Sequence, residues 1–350
     1  MSDSADAGVD PHCPVCGSVV FFESLECPGC STELGFHPPS GSFRPVEQDP
    51  AWRACVNRSR RCNWLAETDE PSGQCLSCRL TRRRPPDDDE VALGKLATAA
   101  VDKRRLLVQL IDLGLPIEPY YDKPGGLAFD LVSSVGGEPV IIGHANGVIT
   151  IDLAESLDAH REALRVRLGE PYRTMLGHFR HEIGHYFQPI LLDEPGAAPG
   201  TGEGWDECRA LFGDDRASYP DALERHYRDG APEGWIEKYI SDYATMHPWE
   251  DFAETFAHYL HITGTLSTAA HAGVVLRAER IGGFDHGDVE PRVSYRNAGF
   301  DEVLADWRWL SLMFNRVNRS MGLRDLYPFG IVAPVAKKLA FVHRLVACIR

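Results

Sequence analysis

His181-Glu182-Ile183-Gly184-His185 is the stretch whose reading decides this chain. Its two histidines stand four residues apart, so a helix places them on one face, one turn apart, where both can reach a single metal ion. Glu182, between them, is placed to act as a base on a metal-bound water. That is the smallest set of groups a zinc peptidase needs. The flanking residues support a helix with two unlike sides. Leu176, Phe179, Ile183, Phe187 and Ile190 share an apolar face, and His178, His181 and His185 fall roughly opposite. One side can anchor the helix while the other looks into a cleft, with His178 able to contact substrate or support a ligand. The plainer alternative is a buried helix whose histidines are hydrogen-bonded core residues.

Zinc in a catalytic site takes a third protein ligand and keeps one position open for water. The stretch His247 to His261, HPWEDFAETFAHYLH, is where to look. Pro248 suits the first turn of a helix. Trp249, Phe252, Ala253, Phe256 and Leu260 form an apolar face, Glu250, Glu254 and His261 share the other, and His258 sits at its edge. Two carboxylates one turn apart among aromatics are costly to bury without a cation or donors. The alternative is a solvated polar face.

Glu250-Asp251-Phe252-Ala253-Glu254-Thr255-Phe256 resembles the E-x-F-A-E-x-F element of lethal-factor-type metallopeptidases, which are gluzincins. The resemblance implies that Glu250 is the third zinc ligand, that Glu254 supports a ligand histidine, and that Tyr243, seven residues before Glu250, helps polarise the substrate carbonyl. A broader resemblance covers nearly the whole chain. CNWL (62–65), CLSCRLTR (75–82), GLAFDL (126–131), GHANGVITIDLAE (143–155), EPYRTMLGHFRHEIGHYF (170–187), LFGD (211–214) and HPWEDFAETFAHYLH (247–261) are similar to blocks of bacterial zinc-binding metallopeptidases with an N-terminal zinc ribbon. Gln188-Pro189 departs from a more aromatic or acidic continuation, without touching a ligand.

Eight of the ten cysteines precede residue 80. Cys13, Cys16, Cys27 and Cys30 have the paired-knuckle spacing of a zinc ribbon. Cys55, Cys62, Cys75 and Cys78 are spaced more loosely but end in a knuckle. Residues 1–12 are polar and acidic with no apolar segment, which points to a reducing, cytoplasmic setting and to zinc thiolates over disulfides. Cys208 and Cys348 are left over and read as buried free thiols.

The expected architecture is α+β. A small Cys-rich zinc-ribbon module (1–84) holds two structural zincs. A Pro/Asp-rich linker (85–90) joins it to a zincin-like catalytic domain (91–350), mainly helical with a small sheet, holding one catalytic zinc. Within that domain a helix is expected at 91–113, strands at 127–133, 138–143 and 147–153, a helix at 156–168 and a loop at 194–207. Asn146-Gly147 marks a tight turn. By analogy with zincins, 147–153 is expected to be an edge strand that pairs with extended substrate. No apolar run approaches a membrane span, and the amphipathic 334–349 stretch reads as a helix packed on the core.

The partner these features favour is a peptide or protein substrate. Arg58, Arg60, Arg61, Arg79, Arg82, Arg83 and Arg84, with Trp52, Trp64 and Phe43, raise nucleic acid as a partner for the ribbon. A formal charge of −15 and the acidic run 87–90 weigh against a polyanion. Two other functions fit the same residues: a zinc hydrolase of a different amide, and a non-catalytic ribbon protein that binds protein or nucleic acid.

Overall fold

The structure is a computed structural model that describes residues 12–134, 140, 142–156, 174–193, 198–280 and 287–349. It divides into two compact units, Met1–Arg161 and Glu162–Arg350.

The first unit starts with two antiparallel hairpins, β1 (Leu34–His37) with β2 (Ser42–Pro45), and β3 (Trp52–Ala54) with β4 (Leu65–Glu67). The knuckle helix α1 (Leu76–Arg79) leads into β5 (Thr81–Arg83), and α2 follows over Glu90–Asp112. Then come β6 (Ala128–Val132), β7 (Gly143–Ala145) and β8 (Val148–Asp152). The four-stranded sheet has the order β5-β6-β8-β7, with only β7 antiparallel to its neighbour. Leu127, Phe129, Leu131, Ile149 and Ile151 are all fully buried. The turn between β7 and β8 has positive φ at both Asn146 (50°) and Gly147 (82°), as a type I′ hairpin turn requires.

This sheet changes one expectation. Strand β8 is paired to β6 along Val148–Asp152 and to β7 along Val148–Thr150, so 147–153 is an interior strand and not the edge strand expected. Over Val148–Thr150 its backbone donors and acceptors are used on both sides. The segment 85–90 lies within the first compact unit, where β5 before it pairs in parallel with β6 after it. Asp89 caps α2 by accepting from the Ala92 amide at 2.9 Å, and Asp87 pairs with Arg60 and Arg84. The expected strand at 138–143 falls largely outside the described residues, and the strand present starts at Gly143. The expected helix at 156–168 also lies outside them.

Most of the basic and aromatic residues near the ribbon are engaged. Arg58 donates to the Leu25 and Leu34 carbonyls, Arg79 pairs with Glu70, and Arg82 with Asp130. Trp64 and Phe43 are buried, so neither is free to stack on a base.

The second unit is helical: α3 (Met175–Leu192), α4 (Glu203–Phe212), α5 (Tyr219–Asp229), α6 (Pro248–His271), α7 (Phe300–Ser320) and α8 (Ala333–Ala347). Helix α4 occupies residues expected to belong to the 194–207 loop. It buries Trp205, Cys208 and Phe212, which explains why this stretch is ordered as helix.

The central contact is α3 against α6. Thr174 caps α3 by accepting from the Gly177 amide, and His247 caps α6 by accepting from the Trp249 amide, with Pro248 in the first turn. Phe179, Ile183 and Phe187 of α3 are fully buried, as are Phe252, Ala253, Phe256 and Leu260 of α6. The rings of Phe187 and Phe256 stack at 5.9 Å. Ile190, expected on this face, is exposed. Gln188-Pro189 lies within the last turns of α3, which runs on to Leu192.

Helix α8 packs on the core as expected, burying Val335, Leu339, Val342 and Val346. Its Lys338 reaches Asp251 of α6 at 2.6 Å. Cys208 is buried as expected. Cys348 is exposed, because it lies just past the end of α8. Among the described residues no helix is long and apolar enough to cross a membrane.

Candidate metal centre

Helix α3 presents His181, Glu182 and His185, all buried, towards α6. The Nε2 atoms of His181 and His185 are 3.1 Å apart. Oε2 of Glu250, in the first turn of α6, lies 2.9 Å from His181 Nε2 and 3.3 Å from His185 Nε2. A tetrahedral site with bonds of about 2.0–2.1 Å has donor-to-donor edges of about 3.3 Å, so these separations fit zinc.

The donor set suits a cation. His181 Nδ1 faces Glu254 Oε1 at 2.7 Å; as the N–H donor there, it leaves Nε2 as a bare lone pair. That lone pair faces a carboxylate oxygen and a second imidazole nitrogen. A proton on one nitrogen relieves part of this repulsion, whereas a divalent cation satisfies all three atoms together. Burial opposes charge on His181, yet Glu250 and Glu254 hold its pKa well above the ordinary value. Glu250 Oε2 is itself buried with no hydrogen-bond donor among the described residues.

Each ligand candidate is held differently. Glu254 is fixed by Ser241, whose hydroxyl donates to Oε2 at 2.6 Å, and Glu254 in turn orients His181. The Nδ1 of His185 has no partner among the described residues; Trp249 packs on this ring at 4.0 Å between centroids. Trp249 therefore faces the centre, contrary to its expected place on the anchored face. Tyr219 donates to Glu250 Oε1 at 2.9 Å.

Glu182 is buried beside the donors. His178 Nε2 lies 3.2 Å from its Oε1, and its Oε2 has no hydrogen-bond partner among the described residues. Burial pushes its pKa up. The hydrogen bond from His178 and the charges of His181, His178 and His185 overcome this and hold it at about 2. Tyr243, half-buried in a short 3-10 turn (Tyr243–Thr245), has its ring 5.8 Å from that of His181. Burial first, and then the Glu250 charge, keep its phenol protonated far above the ordinary range.

The structure thus brings together His178, His181, Glu182, His185, Tyr243, Glu250 and Glu254. Two histidines near in sequence go elsewhere. His258 meets the Tyr327 hydroxyl at 2.7 Å, and His261 meets Arg180 at 2.7 Å. Ser241, Tyr219 and Trp249 join the site without having been singled out for it. Ser241 and Trp249 flank the predicted residues closely. Tyr219, 31 residues before Glu250, has no spacing that could reveal it.

The cysteines form two clusters in the first unit. Sulfur separations are 3.8 Å for Cys13–Cys30 and 3.5 Å for Cys16–Cys27. They are 3.7 Å for Cys55–Cys78, 3.6 Å for Cys62–Cys75 and 3.7 Å for Cys62–Cys78. A tetrahedron of thiolates at about 2.3 Å from zinc has edges of about 3.8 Å, whereas a disulfide is near 2.05 Å. Both clusters therefore fit zinc, and all eight thiols are free of disulfides. The second cluster is the more buried.

Comparison with known proteins assigns the two regions of the chain to families. A zinc-ribbon domain model matches residues 11–89. An uncharacterised protein of Mycobacterium bovis is 45% identical over 339 residues, covering 96% of this chain and 95% of the relative. Two uncharacterised proteins from Mycobacterium tuberculosis strains match to the same extent. No solved structure matches. Residues 93–345 match the model described as "Putative zinc-binding metallo-peptidase", and the chain belongs to that family.

Proposed function

We propose that this chain is a zinc-dependent peptidase of the gluzincin type, with Glu182 as its general base. The observation that carries the reading is the convergence of His181 Nε2, His185 Nε2 and Glu250 Oε2, with the Glu182 carboxylate buried beside them. These three residues would hold the zinc. When bound, zinc supplies Lewis acidity, easing the deprotonation of water and polarising a carbonyl oxygen.

The chain's own groups do the rest. Glu182 stays ionised, and its Oε2 is free to take a proton from the attacking water. The water oxygen then bonds to the peptide carbonyl carbon, and the carbonyl π electrons move to its oxygen. As the C–N bond breaks, Glu182 returns the proton to the leaving nitrogen. Tyr243, kept as a phenol, donates to the oxygen that gains charge. Glu254, held by Ser241, fixes the His181 ring. The two four-cysteine clusters would hold two structural zincs, which suits a chain kept in the reducing cytoplasm. The ribbon (1–84) and the peptidase region (91–350) are proposed as the two functional domains, although their strands share one sheet.

The test is digestion of a peptide library, with products read by mass spectrometry, by the wild-type chain and by Glu182→Gln. Wild-type cleavage is expected, with a loss of at least about 10²-fold in the variant while its zinc content stays the same. Activity retained in Glu182→Gln would remove the base assignment. No cleavage by the wild type, with another amide hydrolysed instead, would move the reading to a different hydrolase.

A further inference from the structure

We infer that Tyr219 is a positioning residue of the metal centre: its hydroxyl occupies Glu250 Oε1, so that the carboxylate offers only Oε2 to the metal. This rests on the reading of His181, His185 and Glu250 as zinc ligands.

A carboxylate can bind zinc through one oxygen or two. A catalytic site needs one position open for water, and a glutamate using both oxygens would crowd it. Here the two oxygens of Glu250 have different surroundings. Oε2 faces the two imidazole nitrogens at 2.9 and 3.3 Å, and Oε1 accepts from Tyr219 at 2.9 Å. That hydrogen bond holds Oε1 in place and draws its electron density away from the metal.

The phenol is well placed to do this. Tyr219 is the first residue of α5, and its ring lies edge-on to His247 (5.3 Å) and Trp249 (5.7 Å). Trp249 packs in turn on His185. The Tyr219 and Tyr243 hydroxyls are close enough for each to shift the other's pKa. One side chain therefore touches the free oxygen of a ligand, the tyrosine proposed to polarise the carbonyl, and the ring packed on a second ligand. Helix α5 is itself fixed to this region: Arg225 donates to the Met246 carbonyl at 2.9 Å, and the His226 ring lies 6.0 Å from Tyr243.

Tyr219→Phe removes the hydroxyl and keeps the ring. The full chain, zinc-loaded, is titrated with a chelator, and release is followed for the centre and for both four-cysteine sites. The expected result is zinc held about 10- to 100-fold more weakly at the centre. The zincs of the cysteine clusters should be unchanged, as should the melting temperature after removal of the most labile zinc. If the wild type binds three zincs and the variant holds the labile one within about twofold of wild type, the inference fails alone. If weaker binding comes with a lower melting temperature in that two-zinc form, Tyr219 is a packing residue and the inference also fails. A wild-type chain with only two zincs overturns both this inference and the reading beneath it.

Discussion

Neighbouring residues on α6 have opposite electrostatic roles. Glu250 and Glu254 lie against imidazole nitrogens that favour their charge, and burial without that compensation would have made them neutral. His258, one turn further on, is buried where the Glu254 charge compensates only in part: burial pushes its pKa down to about 4, against an ordinary 6.5. It is therefore neutral in the folded chain and accepts the Tyr327 hydroxyl at Nδ1. Because the unfolded chain takes up this proton first, the stability due to neutral His258 is complete above pH 6.5 and is lost as pH falls towards 4. The shift corresponds to a limit of about 3 kcal/mol. Denaturant midpoints measured from pH 7 to 4 should fall less steeply in His258→Gln than in wild type. Parallel curves would mean that His258 does not carry this dependence.

Gly184 shows what decides the spacing of two elements. It lies between the motif histidines, where α3 packs tightly on α6. A Cβ there would meet the Ala253 Cα at 3.0 Å, the Ala253 carbonyl oxygen at 3.1 Å and the Phe256 Cβ at 3.2 Å. Two of these are backbone atoms that cannot swing away. Gly184→Ala would gain about 1 kcal/mol of helix propensity against an overpacking cost of about 1–3 kcal/mol. The expected result is lower thermal stability together with weaker zinc at the centre, since the two helices carry its ligands. A variant as stable as wild type with the same zinc affinity would show that the helices can separate freely.

The same scale shows what could be read from the sequence. Helices α3 and α6 were legible because their periodic apolar residues and caps act locally. The edge-strand expectation for 147–153 failed because an alternating pattern shows that a strand forms, not how many neighbours it has. The start of α4 was missed because a Gly/Pro-rich lead-in hides the buried Trp205 and Cys208 that make the helix worthwhile. Tyr219 was illegible for a different reason: its role depends on α5 meeting the start of α6, and no local rule relates the two.

Among the described residues, the groups that could hold a metal take two forms. The first unit has two closed clusters of four thiols, whose ligands fill a tetrahedron, as structural zinc requires. The second has three converging donors beside a carboxylate with a free oxygen. The cysteine spacing announced the first form directly, since each knuckle is a few residues long. The second needed two helices brought together from residues more than sixty positions apart.

That difference is read most directly by counting zinc bound per purified chain, compared with Glu250→Ala. Three zincs are expected in the wild type and two in the variant, with both four-cysteine clusters still loaded. Two zincs in the wild type, or three retained in Glu250→Ala, would contradict this reading.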